Sequence, residues 1–114
     1  MVNQRDIMEI NFPVGEDEYK IHPAIIISNN FVFEQEEKYY GMMLSTKEYD
    51  IPTELTLSPY AFTHQTEITS IAKCHLIADI YPEDIIQKKG SLKIEAFDKL
   101  IEHMRNTTFG RGQS

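Results

Sequence analysis

Lys73 and His75 stand two positions apart in a run that alternates small or apolar residues with more polar ones, Ser70-Ile71-Ala72-Lys73-Cys74-His75-Leu76-Ile77-Ala78-Asp79. On an extended strand, positions i and i+2 point to one face, about 6.6–6.8 Å apart. An ammonium and an imidazole at that spacing reach one phosphate together. Imidazole changes charge near neutral pH, so it takes or gives a proton there. An ammonium holds negative charge as it grows in a transition state. The set suits RNA cleavage by acid–base chemistry without a metal. In that chemistry a base takes the proton of the ribose 2′-hydroxyl, a cation steadies the five-coordinate phosphate, and an acid protonates the leaving 5′-oxygen. The same spacing also describes a lysine and a histidine on the wet face of an amphipathic strand, and spacing alone does not separate the two.

His22, beside Pro23 at the end of an acidic stretch, is the candidate third member of the catalytic set. Ser45 and Thr46 follow an apolar run and offer hydroxyls to a phosphate or to a turn; with Lys20 they form the candidate substrate-binding set. Cys74 points away from Lys73 and His75, toward the expected core, and reads as a buried, inert thiol. The chain has no P-loop, no GxSxG, no GxGxxG, no HExxH and no paired CxxC, and His22, His64, His75 and His103 do not fall at metal-ligand spacings. No metal and no cofactor is expected.

These side chains must be held by one small domain. The 114 residues, 41% hydrophobic and 25% charged, have the composition of a globular chain able to bury a single core. One cysteine excludes a disulfide framework. No apolar run approaches the ~20 residues of a membrane span, and the N-terminus has no signal-peptide pattern, so a cytoplasmic location away from membranes is expected. Residues 1–57 carry eleven acids against four Lys and Arg, whereas residues 58–114 carry seven of each, so the whole net charge of −7 lies in the first half. A generic nucleic-acid binder would be basic; a local basic site is not excluded.

Asp6–Phe12 alternates as a strand that Pro13 should end. Val14–His22, with Glu16-Asp17-Glu18, reads as an exposed loop. Ala24–Ser28 is short and β-branched, as a strand buried on both faces would be. Phe31–Lys38 reads as a turn or loop, Tyr39–Ser45 as a buried strand, and Leu55–Ser58 as a third short strand between prolines. Glu67–Ile80 is the longest alternating segment. Pro82–Ile86 reads as a helical turn. Ser91 is the expected N-cap of a final helix whose apolar stripe is Phe97, Leu100, Ile101 and Met104. Short strands first and one real helix last predict a bent sheet or open barrel with the helix packed on it.

Three of these segments, in order, resemble the MazF/PemK family of toxin endoribonucleases. Arg5-Asp6-Ile7-Met8-Glu9-Ile10-Asn11-Phe12-Pro13 is similar to the family's opening Arg-Gly-Asp/Glu-Ile strand. Lys20-Ile21-His22-Pro23-Ala24-Ile25-Ile26-Ile27-Ser28-Asn29 is similar to its Arg-Pro-Val/Ala-hydrophobic-Ser strand. Ser70-Ile71-Ala72-Lys73-Cys74-His75 is similar to its hydrophobic-hydrophobic-Arg-Cys-Asp-Gln strand, and Gly90-Ser91-Leu92 leads into the last helix as in the family. The resemblance implies a mainly β, SH3-like small barrel with short helices and a C-terminal helix, spanning residues 1–105, with residues 106–114 as a flexible tail. It implies metal-independent cleavage of single-stranded RNA, a homodimer, and an antitoxin partner whose acidic segment lies across the active groove.

The departures fall on functional positions. No glycine follows Arg5, His22 stands for an arginine, Ser45 with Thr46 for a threonine, Lys73-x-His75 for Arg-x-Asp, and the place of a further family arginine falls near Ala78, where this chain has none. Lysine and histidine do not reproduce the bidentate grip of arginine on phosphate. Either the site is rebuilt, with His75 as base, Lys73 as phosphate stabiliser, His22 as acid or second phosphate contact and Ser45 as hydroxyl donor, or the barrel binds a protein or peptide without catalysis.

Overall fold

In the computed structural model, which describes residues 2–112, the first alternating segment forms a strand, β1 (Asp6–Gly15), that continues through Pro13 with an irregularity between Pro13 and Gly15. It turns at Glu16-Asp17 into β2 (Glu18–Ile26). The acidic triplet expected in a loop is therefore the tip of a β-hairpin. Asp17 closes it with φ of 57°, a left-handed conformation that aspartate tolerates better than most residues. Arg5, immediately before β1, also has a left-handed φ of 79°. It takes the place before Asp6 where the resembled opening carries glycine, at a backbone cost of about 1 kcal/mol. Backbone hydrogen bonds tie it to Ile26 and Leu92, and its guanidinium donates to the Leu92 carbonyl at 2.9 Å.

The segment Phe31–Lys38, expected as a turn or loop, forms most of a short helix, α1 (Asn30–Glu36). The Asn29 side chain caps it by accepting from the Phe31 N–H, and Phe33 stacks on Tyr39 with ring centroids 4.6 Å apart. Glu34, Glu36 and Glu37 face solvent. Seven residues are too few to display a helical period, which is why the segment reads ambiguously. The expected strands at Tyr39–Ser45 and 55–58 are present as β3 (Tyr39–Ser45) and β4 (Glu54–Leu57), and the long alternating segment contains β5 (Ser70–Ile80). A 3-10 turn at Pro82–Asp84 leads into β6 (Ile85–Ser91), a strand that the sequence did not reveal. Most of its side chains are polar and exposed, as befits a lysine-bearing edge.

The strands form one antiparallel sheet in the order β4-β5-β3-β2-β1-β6. Its two ends meet through the segments that follow the edge strands. Phe62 bridges Leu92, the Thr63 N–H donates to the Ser91 carbonyl, and the Lys93 N–H donates to the Ala61 carbonyl, both at 2.8 Å. This seam turns the sheet into the small SH3-like barrel. Successive residues of β1 and β2 enter opposite cores. Ile7 and Ile25 pack with Met42, Leu44, Cys74 and Leu92, whereas Met8, Ala24 and Ile26 pack with Tyr39 and Ile80.

The final helix, α2 (Ile94–Asn106), buries Phe97, Leu100 and Met104 against the first core, as its apolar stripe predicts. Ser91 is not its N-cap. The helix begins after Lys93, and the Ser91 hydroxyl donates to buried Asp6 at 2.9 Å. The expected tail from residue 106 is held over its first part: the Phe109 N–H donates to the Met104 carbonyl and the Thr108 hydroxyl to the Cys74 carbonyl. Its last two residues lie outside the described ones. Among the described residues no helix is long and apolar enough to cross a membrane.

Candidate active-site cleft

Side chains from the middle of β1 and β2, the end of β3, the 62–70 connection and β6 border a cleft of about 550 Å3. Its floor is apolar, with Ile7, Pro23, Leu44 and Phe62. Its polar groups are His22, Ser45, Thr46, His64, Gln65, Thr66, Ser70, Glu9 and Lys89. An apolar basin with a few convergent polar groups is the usual form of a ligand site.

His22 is half-buried on β2, opposite Ile10 of β1. Its ring meets the Phe12 ring edge to face, with centroids 6.2 Å apart. The following proline holds the chain extended, which keeps His22 on the strand. Ser45 ends β3, and its oxygen accepts from the Lys47 N–H at 3.1 Å. The hydroxyl thus orders the turn after β3, while its proton remains available to a ligand. Thr46 is exposed at the same turn. Across the cleft, Lys89 pairs with Glu9 at 3.0 Å. Hydrogen bonds from Lys89 and then Gln87 hold the Glu9 carboxyl below its ordinary range. The Lys89 side chain is 48% exposed. An ion pair that open to water is worth little, so an incoming phosphate can compete with Glu9 for the ammonium.

The structure separates the other expected site residues from this cleft. Lys73 is 3% exposed, not turned outward. Its ammonium binds the Glu54 carboxylate, donates to the Lys47 carbonyl at 2.5 Å, and lies 4.6 Å from the centroid of the Tyr49 ring. His75 is exposed, and its Nδ1 pairs with the Thr53 hydroxyl at 2.9 Å. Neither residue lines the cleft, nor does Lys20, which is exposed on β2 opposite Phe12. The outward exposure expected for Lys73 beside His75 is lost because the 47–54 segment covers Lys73. Met42 pairs with Ile77 and Leu44 with Ala72, so the two steps between the β3 residues face five on β5. Beside this bulge Ala72 and Cys74 still enter the first core, while Lys73 between them is buried against Lys47, Tyr49 and Glu54 instead.

His64 belongs to the cleft, and no spacing along the chain signals it. It sits in the irregular connection between β4 and β5, where no period applies; its polar neighbours Gln65 and Thr66 are the only hint.

The sequence matches the family described as PemK-like, MazF-like toxin of type II toxin-antitoxin system over residues 3–107, and the chain belongs to that family. No curated protein matches it significantly. Among solved structures it is similar to an endoribonuclease in complex with its cognate antitoxin from a mycobacterial species, at TM-score 0.76 and 14% identity, covering 99% of this chain and 100% of that one. It is also similar to the Mycobacterium tuberculosis toxin MazF-mt6, at TM-score 0.71 and 18% identity over 95% of this chain and 100% of that one. A third similar structure is the MazE-MazF complex (Form-III) of Deinococcus radiodurans, at TM-score 0.74 and 9% identity over 97% and 98% of the two chains. At these identities the likenesses establish the barrel fold.

Proposed function

We propose that this toxin-family barrel cleaves single-stranded RNA in the cleft described above. The observation that carries the reading is that His22, Ser45 and Thr46, at the positions where the family resemblance puts substrate-handling groups, line one cleft with Lys89. Histidine in place of arginine changes the chemistry at position 22. A guanidinium stays charged and can only hold phosphate, whereas an imidazole can also move a proton near neutral pH. His22 takes the proton of the ribose 2′-hydroxyl, and the 2′-oxygen attacks phosphorus. The bond to the 5′-oxygen breaks as that oxygen takes a proton from an acid in the cleft, leaving a 2′,3′-cyclic phosphate and a free 5′-hydroxyl. The hydroxyls of Ser45 and Thr46 donate to the non-bridging oxygens, and Lys89 offsets their charge. Lys73 and His75 take no part in this reading.

The structures compared above include toxins with antitoxins, which supports an antitoxin as the partner that covers the cleft. The working unit is a homodimer in the cytoplasm. The test is incubation of the purified protein with long single-stranded RNA in EDTA, beside His22→Ala. Cleavage to cyclic-phosphate ends, slowed by about 10²–10⁴-fold in the variant, is the expected result. No cleavage between about pH 5 and 8, where histidine changes charge, would leave a barrel that only binds a protein or peptide.

A further inference from the structure

The ring of His64 is held without a protein hydrogen bond. Its Nδ1 is shut off from solvent and has no partner among the described residues. The ring tilts over Phe62, with centroids 5.3 Å apart and planes at 52°. It also lies against the bare backbone of Gly90 on β6. A Cβ at position 90 would overlap Nδ1 and crowd Cγ and Cβ of His64. Packing therefore fixes this imidazole, where histidines are more often oriented by a hydrogen bond to the second nitrogen. With Nδ1 buried, Nε2 is the nitrogen left to serve the cleft that His64 and His22 both line.

We propose that His64, through Nε2, is the second proton-transfer group of the cleft, and that Gly90 is its positioning residue. The proposal rests on the nuclease reading above and completes its proton balance. Cleavage by internal attack needs one group to remove the 2′-hydroxyl proton and another to protonate the 5′-oxygen as its bond to phosphorus breaks. His22 supplies the first and His64 the second. The neutral His64 and protonated His22 left by one turnover return to their starting states by exchange with water.

The experiment measures kcat and KM for a single-stranded RNA with the unaltered protein, His22→Ala, His64→Ala, His64→Gln, Gly90→Ala and the Gly90→Ala/His64→Ala pair, each checked for folding by circular dichroism. His64→Ala and His64→Gln are expected to lower kcat by about 10²-fold or more with little change in KM, and added imidazole to restore part of the loss in His64→Ala. Gly90→Ala is expected to lower kcat in the parent and to have no further effect in the His64→Ala background, since it acts through the displaced ring. Because glutamine keeps a hydrogen-bonding amide, retention of kcat in a folded His64→Gln overturns proton transfer by this residue. Cleavage that needs His22 but survives His64→Ala overturns this inference alone. No cleavage by the unaltered protein overturns the nuclease reading and this one together.

Discussion

The ammonium of Lys73 and the carboxylate of Glu54 face each other beneath the 47–54 segment, each side chain 4% exposed, on neighbouring strands where the two residues are directly paired. The Tyr49 ring lies beside the ammonium, and the Tyr49 N–H donates to the carboxylate at 2.9 Å. The pair pins the 47–54 loop to the bulge of β5. Removing one member of a buried pair strands the other charge, whereas replacing both with apolar groups of similar volume is often tolerated. Lys73→Ala is therefore expected to lower the melting temperature by several degrees, and Lys73→Met combined with Glu54→Leu to recover most of it. Cleavage per folded Lys73→Ala molecule should match the parent; a loss of kcat without a loss of stability would return Lys73 to the catalytic set.

Glu54 also sets a pH dependence. Burial raises its carboxyl, but the hydrogen bond from Lys73 and those from the N–H groups of Tyr49 and Ile51 outweigh it, and the net result is a pKa below the ordinary 4.5. A carboxyl lowered by folding adds stability that is present above its unfolded pKa and is lost as pH falls through the folded one. The urea midpoint should accordingly drop as pH falls below 4.5. The drop should be shallower in Glu54→Gln, and identical slopes would contradict the assignment.

Gly41 of β3 lies under Ile80 of β5, where an added Cβ would overlap the Ile80 Cδ1 atom and sit 3.6 Å from the Ala24 Cβ. The obstacle is the tip of a fully buried side chain in the second core. Gly41→Ala is expected to cost about 1–3 kcal/mol in urea unfolding, the range for overpacking. Ile80→Val, which removes the overlapping methyl, should restore part of that cost.

Cys74 has no exposed surface, and burial pushes its thiol up to about 11. The thiolate is the reactive form. At neutral pH a thiol reagent such as DTNB should label the native protein no faster than the protein unfolds, and should label it at once in denaturant. Rapid native labelling would show that the core around Leu44 and Met104 opens without global unfolding.

The sequence was most legible where burial is simple. Tyr39–Ser45 carries hydrophobic residues on both faces and is a strand over that whole range. Phe97, Leu100 and Met104 show the period of a helix laid on a core, and they form one. It was least legible where tertiary pairing overrides local pattern. The residues of β6 are too polar to announce a strand, and their pairing with β1 supplies what their composition withholds. Residues 14–22 look like a loop because the hairpin tip and its flanks over 15–21 are as solvated as a loop. In the cleft, His22, Ser45 and Thr46 were visible through their order along the chain. Lys73 and His75 misled because the two-residue rule says which face a side chain takes and not what folds over that face, and the 47–54 segment covers Lys73. His64 was hidden because a connection has no period to read.

The seam between the 61–63 and 91–93 segments has a temporal consequence. The β1–β6 side of the cleft joins Glu9 near the start of the chain to Lys89 near its end, so a growing polypeptide cannot hold the assembled cleft until its final strand has been made.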